Sequence, residues 1–345
     1  MHKFKFVFRS LILFLCACCA AAGAWASDIR QVGMIDLPGA PGFDGVAFAK
    51  GMLLISHAAD DKVDIFNVSR RRLVGKVNNM SRPKGIAVDE ENERVYIANS
   101  GANNLVVLSA ADFQVQRTIA LPFAPEELIY VPQSKLLYVS CTSAQRLLAV
   151  DPQVGKAIHI ADTGARPEYL AYDPERKLVY VALQDRKAIQ AFDSELKPVR
   201  SFDLTGSMPT GIAYDQQLDR LYVAIRSALL ALDAKTGSEL GRVPAPEGVD
   251  QLWLDAPQRT LFAVSNGAVL MLHAGERLTL ANELPVDVKG HTLAFDSKTG
   301  FIYLPGGREG RSKLLILKLV PSDPGGPVSA ETKPRPAQNR TQASR

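Results

Sequence analysis

RPKGIAVDEENERVYIANSGANNLVVLSAADFQVQRTI, residues 82–119, carries the pattern from which the rest of the chain is built. GIAVD and RVYIAN are β-rich runs separated by the charged turn DEENER. NLVVLS and QRTIAL follow after SGAN and ADFQV. These are four short strands in sequence, joined by turns rich in Asp, Asn, Gly and Ser.

The unit recurs along nearly the whole chain. The residue before each first strand is Asp44, Lys84, Glu126, Glu168, Thr210, Asp250 and His291, at steps of 40, 42, 42, 42, 40 and 41 residues. The second strand carries Tyr96, Tyr138, Tyr180, Tyr222, Phe262 and Tyr303 in the same register. Two independent markers give one period. Six units supply their own fourth strand, from LVGKVN to LTLANEL, and the seventh stops at Leu319. The orphan strand RQVGMIDL, residues 30–37, supplies the missing one. The expected fold is therefore all-β: a seven-bladed β-propeller of four-stranded blades, the N-terminal strand closing the last blade, which protects sheet edges from pairing with other chains.

The repeat resembles the YVTN-type propeller proteins, most visibly in RPKGIAVDEENERVYIANSGANNLVVL and its copies RPEYLAYDPERKLVYVAL and MPTGIAYDQQLDRLYVAI. The resemblance implies an exported binding or scaffold protein, on a scaffold similar to that of lactonases and lyases. Similar periplasmic propellers also bind single-stranded nucleic acid.

The ends read differently from the repeat. Residues 1–26 carry Lys3, Lys5 and Arg9, an apolar run from Leu11, and Ala24, Trp25, Ala26 before Ser27. That is the order of a signal peptide, which predicts a periplasmic or secreted protein with no integral membrane segment after cleavage. A lipid anchor at Cys18 is the weaker reading, because Cys16 is unusual in the preceding motif. Cleavage removes Cys16, Cys18 and Cys19, so only Cys141 remains and no internal disulfide is available. The Pro-, Ser- and Gln-rich stretch 321–345 is expected to be a disordered tail. Between these ends, residues 27–320 hold 33 basic and 34 acidic side chains, although the whole chain has a formal charge of +4. A neutral body offers no general attraction for nucleic acid.

Repetition within the chain separates blade residues from candidate site residues. Asp89, Asp173, Asp215, Asp255 and Asp296 recur after the first strand, and Asp151, Asp193 and Asp233 after the third, where an Asp caps backbone N–H groups of a turn. The address before the first strand instead changes identity from blade to blade. Asp44, Lys84, Glu126, Glu168, Thr210, Asp250 and His291 are expected to ring one mouth of the central channel. The loops between second and third strands belong at the same mouth and carry His57, Asn99, Cys141, Arg226, Asn266 and Arg308.

Asp44, Glu126, Glu168, Asp250 and His291 are the residues a divalent cation (Ca²⁺, Mg²⁺ or Zn²⁺) would take. Asp44 and Thr210 also resemble the addresses from which regucalcin and gluconolactonase propellers place metal-binding side chains, although those have six blades and Lys84 stands in this ring. A mutually paired, solvated channel lining is the simpler reading of the same residues. ALDAKTG, residues 231–237, is similar to the quinoprotein repeat, but Gly241 stands where the docking Trp would be, so no quinone cofactor is expected. The leading expectation is a scaffold binding an unidentified protein or small molecule at the rim. A metal-dependent lactonase or lyase at the same rim is the first alternative, and single-stranded nucleic-acid binding, disfavoured by the neutral body, the second.

Overall fold

In the computed structural model, residues 27–265 and 267–321 are described. The segment read as a signal peptide, the tail beyond Pro321 and Asn266 lie outside them. Ser27–Val320 forms one compact unit of seven four-stranded sheets, each running in chain order from inner to outer strand in blades 1 to 6. Blade 1 consists of Val46–Ala49, Met52–His57, Lys62–Asn67 and Arg72–Val77; blade 2 begins at Pro83, blade 3 at Leu128, blade 4 at Pro167, blade 5 at Ile212 and blade 6 at Leu252. Blade 7 is built from Ala294–Asp296, Phe301–Arg308 and Arg311–Pro321, with Ser27–Asp36 as its outermost strand. The seven-bladed propeller closed by its N-terminal strand is thus the observed fold. Pro321, counted in the tail from sequence, ends the third strand of blade 7.

The turn aspartates act as expected. Asp89 accepts from Asn92 N, Asp173 from Arg176 N, Asp215 from Leu218 N and Asp233 from Thr236 N. The pairing of third with fourth strand carries a register shift at one address in six blades, between Ile65 and Phe66, Val107 and Leu108, Ala149 and Val150, Ala191 and Phe192, Ala231 and Leu232, and Met271 and Leu272. A bulge there bends and twists the outer strand.

The core lies between blades. One buried cluster joins Tyr180 and Ile189 of blade 4 to Leu221 and Leu230 of blade 5, and another joins Tyr96 of blade 2 to Leu137 and Leu148 of blade 3. The repeated second-strand aromatic explains this joint: five of the six rings meet an aromatic on the inner strand of the next blade, and Tyr222 packs with Leu252 and Leu254 there instead. Centroids lie at 5.9 Å for Tyr96 and Tyr130, 6.4 Å for Tyr138 and Tyr172, 6.1 Å for Tyr180 and Tyr214, 4.5 Å for Phe262 and Phe295, and 6.0 Å for Tyr303 and Phe48 across the closure. Such pairs contribute about 0.5–1.5 kcal/mol each beyond the area they bury. Inner strands are thereby held in a ring, and the residues at their starts face one mouth.

Candidate functional site

Of the seven ring candidates, Lys84 and Glu168 fall inside their inner strands and the others before them, and six of the seven are engaged by neighbours. Lys84 Nζ lies 2.6 Å from Asp44 Oδ2 and 2.8 Å from Glu126 Oε1, bridging blades 1, 2 and 3. Thr210 Oγ1 donates to the Val249 carbonyl at 2.8 Å. His291 sets Nδ1 against Asp250 Oδ2 and Nε2 against the Phe43 carbonyl, both at 3.0 Å. Because both partners are acceptors, both ring nitrogens must donate, which the imidazolium alone satisfies; Asp250 accordingly holds His291 above its usual pKa against the opposing effect of burial. Burial works against the charge on Lys84, but Asp44 and Glu126 outweigh it and raise its pKa.

Glu168 is the exception, for among the described residues its carboxyl makes no hydrogen bond. Burial first, then Asp250 and Glu126, push its pKa up to about 8. The native state therefore keeps a proton that the unfolded chain, near 4.5, releases. Stability owed to this group is full below pH 4.5 and falls as pH rises to about 8. Glu168→Gln should flatten that part of the stability profile, measured by urea unfolding at half-unit pH steps; an unchanged slope would contradict the assignment.

A second tier lies one residue further along each inner strand, and sequence reading missed it. Blades 1, 2 and 5 have Gly45, Gly85 and Gly211 there, where a Cβ would meet backbone or a carboxyl at 2.5, 2.6 and 2.1 Å. Blades 3, 4, 6 and 7 carry Glu127, Tyr169, Gln251 and Thr292 instead. The signal was present as the four blades in which the glycine of GIAV is replaced. Gln251 Oε1 accepts from Thr292 Oγ1 and, at 3.4 Å, from Leu293 N. Glu127 is only 8% exposed. Its backbone pairs with Ser140, but among the described residues its carboxyl has no hydrogen-bond partner. Burial, then Asp44, Glu126 and Asp250, raise its pKa well above the ordinary value. Below this tier the channel widens into a cavity of about 900 Å³.

Of the loop residues, His57, Asn99 and Cys141 are buried. His57 is fully buried, with Nδ1 2.8 Å from Asp64 Oδ2 and Nε2 2.7 Å from the Ala40 carbonyl. It is covered because residues 37–43, which lead from the closing strand into blade 1, pass over it; Phe43 packs on its ring at 4.2 Å, and Lys62 Nζ binds the Pro38 carbonyl at 2.6 Å. Asn99 is 4% exposed and spends its amide on Ser81 N and Asn104, fixing a turn. Arg226 is exposed beside Met208 Sδ. Arg308 pairs with Asp287 at 2.8 Å and lines, with His291, a cavity of about 460 Å³ at the same mouth. Cys141 is fully buried, its thiol pushed up to about 12 by burial and by Glu126. It should resist iodoacetamide until the chain unfolds, followed by peptide mass spectrometry; rapid labelling of folded protein would refute this.

Among the described residues no three His, Cys, Asp or Glu side chains converge on one metal position. Asp44 and Glu126 are engaged with Lys84, and Asp250 with His291.

The sequence matches the YNCE-like beta-propeller family over residues 8–237. The chain belongs to this family. No curated protein matches it. Among solved structures, this YNCE-like propeller is similar to a chain of hydrazine synthase from Kuenenia stuttgartiensis, at TM-score 0.69 and 13% identity over 84% of this chain and 97% of that one. It is similar to virginiamycin B lyase from Staphylococcus aureus at TM-score 0.69 and 14% identity, over 85% of this chain and 100% of that one. At these identities the likeness is one of fold. No helix among the described residues is long and apolar enough to cross a membrane.

Proposed function

We propose that this YNCE-like propeller is an exported binding protein that takes a ligand or partner at the mouth ringed by Asp44, Lys84, Glu126, Glu168, Thr210, Asp250 and His291. The observation that carries the reading is Glu168. Six ring residues are satisfied by neighbours, while this carboxyl stands unpartnered at the mouth. A polar group held in place without a partner is one that a bound molecule can satisfy. The cations that act on it are Arg166 and Lys84, and they do not outweigh its burial.

The acid excess of the ring supports a partner other than nucleic acid, whose phosphates it would repel. The metal-dependent alternative requires a cation to displace Lys84 or His291 from Asp44, Glu126 and Asp250, and metal analysis of purified protein addresses it directly. The binding reading is tested with a Glu126→Ala/Glu168→Ala variant in a pull-down and ligand screen. At least a tenfold loss of binding is expected for a partner that the parent retains, and unaltered retention would argue against the rim. Export is tested by N-terminal sequencing of protein recovered outside the cytoplasm, which should begin at Ser27.

A further inference from the structure

Beneath the rim, the channel cavity of about 900 Å³ is walled by Phe48, Ile86, Val88, Ile129, Trp253 and Phe295 and opens at the far mouth beside Glu90, Glu93, Lys50 and Lys298. Glu127 and Tyr169 line it as well. An aromatic and aliphatic wall beside a carboxyl that makes no hydrogen bond among the described residues has the composition of a small-molecule site. We propose that this cavity binds an organic cation with an apolar body, the ammonium against the Glu127 carboxyl and the hydrocarbon along the wall.

The charge around Glu127 selects the sign of the ligand. Asp44, Glu126, Glu168 and Asp250 lie above it, and the two cations there, Lys84 and His291, are held by their own carboxylates. An anionic head would add to that repulsion. A small hydrated metal ion would surrender its water to hydrocarbon walls with one carboxyl in exchange, because Asp44 and Glu126 are occupied by Lys84. A neutral ligand would not offset the burial of Glu127. An ammonium pairs with the carboxyl, while the alkyl part gains from leaving water.

The experiment is calorimetric titration with n-octylamine, n-octanol and octanoate at pH 7. Octylamine should bind at least tenfold more tightly than octanol, and octanoate should give no binding. Glu127→Gln keeps the side-chain shape; it should cost at least tenfold in octylamine affinity and leave octanol affinity unchanged. Val88→Phe fills the wall without altering charge and should exclude both octylamine and octanol. Octanoate or octanol binding as tightly as the amine, no octylamine binding at millimolar concentration, or a folded Glu127→Gln protein with parental amine affinity would each overturn the proposal. Arg226→Ala, at an exposed loop residue that is not among the groups acting on Glu127, should keep octylamine affinity within about threefold; loss of the amine in that variant, with Glu127→Gln still binding it, would also overturn the proposal.

Discussion

Lys84→Met is expected to destabilise the propeller by about 3–5 kcal/mol at pH 8, the range for removing one partner of a buried ion pair. Lys84 is 17% exposed at its side chain and stands between Asp44 and Glu126. Without it, Asp44, Glu126, Glu127, Glu168 and Asp250 face one mouth with His291 as the remaining counter-charge. Burial already holds Asp44 above its ordinary pKa despite Lys84, so the variant's carboxyls must bind protons more readily still. A folded state that binds more protons than the unfolded one gains stability as pH falls. The deficit should therefore shrink between pH 8 and pH 5, read from urea unfolding of both proteins at the two values. A variant within 1 kcal/mol of the parent at pH 8, or a deficit that grows on acidification, would contradict this account.

That ion triad also marks how far the sequence could be read. The period places Lys84 in the same ring as Asp44 and Glu126, because a propeller repeats its addresses. The step from shared ring to contact needs only adjacent blades and a long side chain. Glu127 and Tyr169 were hidden one residue away. The repeat presents that address as the glycine of GIAV, and its replacement in four blades reads as drift until the close approach at Gly45, Gly85 and Gly211 explains the glycines. His57 was misplaced for a different reason. Residues 37–43 belong to no repeat, and nothing in spacing reveals that they cover one second-to-third-strand loop and leave the others open. A segment used once is invisible to arguments from recurrence.

Removing residues 1–37 should abolish cooperative folding, because the closing strand is the one joint that the repeat does not supply in sequence. Asp36 pairs with Lys313, and the Leu37 N–H donates to the Ser312 carbonyl at 3.0 Å. Ile29 and Leu37 are 2% and 4% exposed, and burying such a side chain is worth about 1.5–3 kcal/mol. Deletion also strips the strand Arg311–Pro321 of its neighbour, presenting an apolar edge to other copies. With the strand's backbone hydrogen bonds added, the loss is comparable to the ~5–15 kcal/mol that holds a domain folded. The truncated protein is expected in aggregates, and a synthetic peptide of residues 27–37 present during refolding should restore a monomeric, cooperatively melting species. The opposite change should act in the opposite direction. A Cβ built at Gly33 would lie 3.7 Å from Ile316 Cβ, within the range a disulfide spans. Gly33→Cys/Ile316→Cys should therefore melt higher oxidised than reduced, by the equivalent of about 2–4 kcal/mol. A truncated chain that melts like the parent, or a crosslink without effect, would show that the ring is held by the joints between blades and that the closing strand is an ornament to it.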